Sequence, residues 1–135
     1  MDIEPEKQTL SLVIAHGDIT SPPLSHAARE WIGFKLRSVQ EGESIAFPAS
    51  RPMPSIGPRC HELRLTDDKA EWRVVYHIAA KSVVVLDVFR KMTQKTPKHV
   101  IDQCKTRLAA YNQALKDAAD ARKRKERGND RRGRT

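Results

Sequence analysis

Residues 60–89 read CHELRLTDDKAEWRVVYHIAAKSVVVLDVF, and the period of that stretch decides the fold. Residues 60–65 alternate, with Leu63 and Leu65 on one side and Glu62 and Arg64 on the other, the two-residue period of a half-covered strand. Residues 66–70, rich in Asp and Lys, form a turn. Residues 71–79 alternate again: Trp72, Val74, Tyr76 and Ile78 point one way, and Arg73, Val75, His77 and Ala79 the other. Residues 82–89 are nearly all β-branched or apolar, as expected of a strand covered on both faces. A tight Ala80-Lys81 turn makes the last two strands a hairpin and sets Arg73 opposite Val88. That turn lacks the Asn-Gly signature, so the register stays open to a one-residue slip.

Working outward, residues 10–15 (LSLVIA) predict a first strand, ended by His16-Gly17 and followed by a stiff Ser21-Pro22-Pro23 exit. Ser25 offers an N-cap. Ala28, Ile32, Leu36 and Val39 then recur at helical spacing beside Trp31, and Gly42 closes that helix. Residues 43–58 carry prolines at 48, 52, 54 and 58 and read as an ordered, candidate functional loop. Pro97 opens a last helix whose apolar stripe is Val100, Ile101, Cys104, Leu108, Tyr111 and Leu115. Residues 122–135 (RKRKERGNDRRGRT) hold no apolar side chain. They can bury no face, which predicts disorder or an extension that orders only on a partner. The expected organisation is a flexible end over 1–8, one domain over 9–118 and a basic tail over 119–135. The expected class is α+β, a small antiparallel or mixed sheet of about four strands with helices packed on one face and the other face open.

The formal charge of +8 is uneven. Residues 116–135 hold nine Lys/Arg against four Asp/Glu, whereas residues 1–115 hold sixteen against thirteen. Bulk basicity therefore favours a polyanionic partner without locating a cleft. Aromatics make up only 5% of the chain, which argues against a base-stacking platform built on several exposed rings. Cys60 and Cys104 lie 44 positions apart with no neighbouring Cys, so neither a disulfide framework nor a metal-type spacing is present. The acidic N-terminus lacks an apolar run long enough for a signal peptide or membrane span, which predicts a cytoplasmic protein.

Four segments in order carry a family resemblance: RPMPSIGPRCHELRL, EWRVVYHI, VVLDVFRKMTQKTP with its Thr-x-x-Thr-Pro connection, and the helix VIDQCKTRLAAY. HGDITSPPLS and QEGES in the N-terminal half fit as well. Together, over roughly residues 9–115, they resemble the phage-derived, HigB-like branch of the RelE/HigB toxin superfamily. The resemblance implies a RelE/ParE-like fold and the toxin of a type II toxin–antitoxin pair. It further implies a metal-independent mRNA endoribonuclease, ribosome-associated or free, that needs no cofactor and is silenced by a helix-turn-helix antitoxin. No HxxxH or clustered carboxylates of a metal site occur in the sequence. The chain departs from HigB-type toxins in lacking an Asp-Tyr-His type ending.

Cleavage through the ribose 2′-OH needs a base, cations for the charge on the transition state, and an acid for the leaving oxygen. Arginine suits the second task because its planar fork pairs with phosphate oxygens. Arg64 and Arg73 are the leading candidates for phosphate binding and charge stabilisation, followed by Lys91, with Arg90 and Lys95 near the same strand ends. In the expected register Arg73 and Arg90 share a neighbourhood. His77, on the Arg73 side of its strand, and Tyr76, which points the other way, are the proton-transfer candidates. His61 shares the apolar side with Leu63 and reads as packed, and His99 in the last helix reads as exposed. Against the enzyme stand two alternatives: a ParE-like module of the same fold that blocks a target such as gyrase without cleavage, and a cryptic phage-derived protein without activity. The basic tail reads either as a solvated end or as a source of nonspecific RNA affinity.

Overall fold

The computed structural model describes residues 9–15 and 23–132, with side chains described as far as residue 128. The expected flexible end (1–8), most of the segment between first strand and first helix (16–22) and residues 133–135 lie outside these. The elements run β1 (Ser11–Ile14), α1 (His26–Gln40), β2 (Ser50–Pro52), β3 (Cys60–Asp67), β4 (Ala70–Ile78), β5 (Ser82–Arg90) and α2 (Lys98–Arg132). One five-stranded sheet has the order β1-β5-β4-β3-β2. β1 pairs in parallel with β5, and the other pairs are antiparallel. The α+β class holds, with a mixed sheet.

Neighbouring residues of a strand face opposite sides, and cross-strand partners face the same side. Leu36 and Val39 of α1 cluster with Leu63, Val74, Tyr76, Val83 and Val85, whereas Val100, Cys104 and Leu108 of α2 cluster with Cys60, Val75, Val84 and Leu86. The two helices therefore lie against opposite faces, and the expectation of both on one face is corrected. The unbroken Val83-Val84-Val85-Leu86 run is the sequence trace of this arrangement. All four residues are buried, at about 1.5–3 kcal/mol per fully buried side chain. The margin of the α2 face, over β2, β3 and the ends of β4 and β5, stays open as a cleft.

The hairpins are set by turn chemistry. Asp67 pairs with Ala70, and the two residues between them, Asp68 and Lys69, both adopt positive φ (47° and 62°), the mirror-image turn whose twist suits a two-residue hairpin. At the second hairpin Ile78 pairs with Val83 and Tyr76 with Val85, in the expected register. Beyond Tyr76 a bulge intervenes: Val75 pairs with Asp87, leaving Leu86 extra. Arg73 therefore lies opposite Phe89, not Val88, and Arg90 opposite Trp72. A bulge leaves its backbone unpaired, and here Arg107 of α2 donates from Nη1 to the Leu86 carbonyl at 2.7 Å. The same nitrogen lies 3.3 Å from Asp87 Oδ1.

Ser25 caps α1 as expected, accepting from Ala28 N–H at 3.1 Å, and Gly42 follows the helix with φ of 93°. Asp67 accepts from both the Ser25 hydroxyl and the Ser25 N–H, at 2.6 and 2.8 Å, tying the start of α1 to the end of β3. The proline-rich stretch is ordered and supplies β2, a strand that residues 43–58 did not announce; Met53 and Ile56 are buried there. Pro97 accepts the first backbone bonds of α2. That helix continues to Arg132, against the expectation of disorder after residue 119. Residues 116–127 are Lys, Asp, Ala, Arg and Glu without Gly or Pro; apart from Asp these are strong helix formers, so intrinsic propensity carries the helix where no face is buried. Leu115, expected in the apolar stripe, is half exposed because α2 has run past the sheet by then.

Candidate functional site

The register of β3 with β4 places Arg64 directly opposite Arg73. Two guanidinium groups on adjacent strands, facing the same side, would repel unless carboxylates or solvent lay between them. Glu62 supplies one counter-charge from two residues along β3. It is fully buried, with Oε1 at 3.5 Å from Arg73 Nε and 3.3 Å from Arg51 Nε of β2. Thr96, in the connection from β5 to α2, donates its hydroxyl to Glu62 Oε2 at 2.9 Å. Glu71 supplies the second counter-charge from the start of β4, with Oε2 at 3.1 Å from Arg73 Nη1. Arg73 is itself buried, with side-chain exposure of 3%, and also donates to the Trp72 carbonyl.

Above this pair opens a cleft of about 550 Å³ lined by Arg64, Glu71, Arg73, Lys91, Met92, Thr93 and Gln94. Arg64 makes no ion pair among the described residues; its guanidinium lies 5.9 Å from the Phe47 ring, and its Nε is buried without a hydrogen-bond partner. Phe47 and Met92 are 71% and 76% exposed, so apolar surface adjoins the cations. Lys91 is held below the ordinary lysine range, first by burial and then by the Arg73 guanidinium beside it. Glu71 is held below the ordinary carboxylate range, first by the Thr66 hydroxyl and then by Arg73, and so stays ionised. Three cations and one ionised carboxylate share one open groove. That composition can hold a phosphodiester, accept a proton at Glu71 and donate one from Lys91.

Of the residues singled out in the sequence, Arg64, Arg73 and Lys91 come together here. Lys95 does not line this cleft but an adjoining recess of about 370 Å³ that shares Gln94 with it. Arg90 is turned away: its partner Trp72 belongs to the alternation of Val74 and Tyr76, and the bulge at Leu86 reverses its parity. His77 faces the same side as Arg73 but four residues along, roughly 13 Å away at strand rise. There its Nδ1 contacts Cys60 Sγ at 3.5 Å, and burial holds its pKa below the usual histidine value. Tyr76 faces α1; its hydroxyl is 2.7 Å from Ser50 Oγ and its ring stacks on His61. Neither proton-transfer candidate lines the cleft. Sequence reasoning missed Glu71, Glu62 and Arg51. Glu71 shares the parity of Arg73 in the alternation of residues 71–79, which is the signal that could have found it, and a register for β2 would have been needed to set Arg51 beside Glu62.

The two thiols are buried and free. Burial pushes Cys60 up to about 11 and Cys104 to about 12, which makes inert packing groups of both. Among the described residues no group of three or more His, Cys, Asp or Glu could hold a metal ion, and no helix is long and apolar enough to cross a membrane.

Residues 23–109 match a family model described as Phage derived protein Gp49-like (DUF891). No curated protein and no solved structure matches the chain. The matched region begins just before the Ser25 cap, takes in the whole β2–β5 unit with its cleft, and ends in α2 after Leu108. It covers well over half of the sequence: the chain belongs to the Gp49-like family of phage-derived proteins.

Proposed function

We propose that this protein is the toxin of a type II toxin–antitoxin module, an endoribonuclease of the RelE/HigB kind that cleaves mRNA on the ribosome through the 2′-OH without a metal. The observation that carries the reading is the Arg64–Arg73 cross-strand pair at the floor of an open groove with Lys91 on its wall. The phage-derived family and the HigB-like segments support it. Arg64 and Lys91 meet the phosphate, and Arg73, steadied by Glu62, stabilises charge as the phosphorane forms. Glu71 takes the 2′-OH proton, and Lys91 supplies one to the leaving 5′-oxygen. The protein works in the cytoplasm, and its partner is a helix-turn-helix antitoxin from the neighbouring open reading frame.

A second reading has one observation in its favour: among the described residues no histidine or tyrosine lines the cleft, so the groove would serve equally as a purely electrostatic grip on a target. Induced expression separates the two, using wild type, Arg64→Ala and Glu71→Gln. Growth arrest with new mRNA 5′ ends, lost in both variants, supports the nuclease. Arrest with intact mRNA and DNA-damage signalling supports a gyrase-type target, and absence of arrest supports a cryptic protein.

A further inference from the structure

We infer that the recess beside the cleft is a nucleobase pocket, which receives the base attached to the phosphate held by Arg64, Arg73 and Lys91. The inference rests on the nucleic-acid reading of the cleft and adds to it a site for the part of RNA that carries sequence. Two observations tie the recess to the cleft. Gln94 lines both. The buried Glu62 carboxylate holds one cleft residue, Arg73, and two recess residues, Arg51 and Thr96, at 3.5, 3.3 and 2.9 Å. A ligand group in one is therefore at a fixed offset from a group in the other.

The recess differs from the cleft in chemistry. Its walls include Met53, Pro54 and Ile101, from the β2 loop and the first turns of α2, with Arg51, Gln94 and Lys95 at its polar side. Apolar walls suit the faces of a planar base, as in pockets where a flipped base lies between apolar side chains. The Gln94 amide can both donate to and accept from a base edge. The volume of about 370 Å³ falls in the range of small-molecule sites, about 300–1,000 Å³. Pro52 and Pro54 fix φ on the loop that forms one wall, and Met53 is buried against the core, so the wall is in place before a ligand arrives. A phosphate site alone gives affinity without sequence reading; a preformed slot at a fixed distance from it gives preference among bases.

The full chain, with methyl-labelled methionine and isoleucine, is titrated by NMR with inorganic phosphate and with the 3′- and 5′-monophosphates of the four ribonucleosides. The expected result is that at least one nucleotide shifts the Met53 and Ile101 methyls and binds at least tenfold more tightly than phosphate. Inorganic phosphate leaves those methyls unmoved, and Ile101→Ala, at a position that lines the recess and not the cleft, weakens the nucleotide about tenfold while phosphate binding stays as in wild type. Nucleotides that bind no more tightly than phosphate, with both methyls unmoved, overturn the pocket and leave the phosphate cleft standing. Binding of neither phosphate nor nucleotide overturns the cleft itself, and the pocket with it.

Discussion

Arg73→Ala and Arg64→Ala remove the same chemical group from facing positions of the same two strands, yet they will differ sharply in stability. Arg73 has 3% side-chain exposure and sits between Glu62 and Glu71, and Glu62 is fully buried. Removing one partner of a buried ion pair costs about 3–5 kcal/mol, because the other charge is left without compensation. Glu62 keeps Arg51 at 3.3 Å and the Thr96 hydroxyl at 2.9 Å, which puts the loss near the lower bound, about 3 kcal/mol. For a domain of this size that lowers Tm by roughly 10 °C. Among the described residues Arg64 makes no ion pair; its guanidinium lies 5.9 Å from the Phe47 ring, a contact of about 0.5–1 kcal/mol, so Arg64→Ala should shift Tm by no more than about 4 °C. Thermal melting followed by circular dichroism reads both. An Arg73→Ala protein melting within 3 °C of wild type, roughly the shift of 1 kcal/mol, would refute the reasoning, since Glu62 would then be satisfied without Arg73. The consequence for function is direct: loss of activity in Arg73→Ala confounds folding with chemistry, whereas Arg64→Ala reports on the groove.

Lys69→Gly should stabilise the protein by about 1 kcal/mol in urea unfolding, because Lys69 adopts φ of 62° in a turn that glycine adopts without strain. Binding of a single-stranded RNA oligonucleotide, followed by fluorescence anisotropy across a salt series, should weaken as salt rises. Lys91→Gln should reduce the slope of log K against log salt by about 0.7, the share of one phosphate contact; an unchanged slope would place Lys91 outside the interface. In the native protein both cysteines should resist thiol reagents at pH 8, where a thiol titrating at about 11 is only about 0.1% thiolate, and both should react at once in denaturant. Because their folded pKa values are raised, the stability they contribute is complete below 9.0, declines as pH climbs and is lost above about 12. A pH–stability curve that stays flat through this window contradicts their burial.

How much of this was legible follows from which residues announce their partners. Alternation in residues 60–65 and 71–79 gave both strands and the side each cation faces, whereas the Arg64–Arg73 juxtaposition needed the register of β3 with β4. Ser25 and Gly42 marked the ends of α1 because capping is local chemistry. β2 was not legible: three residues flanked by prolines carry no period, and their place is set by pairing with β3. The position of α1 was miscounted because a fully apolar β5 was read as covered on both faces without asking which element covers the second. Arg90 was misplaced for a subtler reason. The hairpin register was correct at the turn, and one bulge, invisible in an apolar run, moved everything beyond it by one residue.

That bulge connects the fold to the groove. With regular pairing, Val88 would take the place of Phe89 opposite Arg73, and the side chains of Arg90 and Lys91 would exchange faces. Arg90 would then enter the cleft and Lys91 would leave it. The extra residue thus selects which cation of the Arg90-Lys91 pair enters the cleft. It selects the one whose pKa the surroundings can lower, since a guanidinium stays protonated throughout the physiological range and can only hold charge, whereas an amine held below its usual range can also release a proton. Arg107 fixes the choice from the same face of the sheet, farther along β5, by binding the Leu86 carbonyl and Asp87 at 2.7 and 3.3 Å. A structural residue on α2, buried and remote from the cleft wall, therefore decides the chemistry available at the other end of β5.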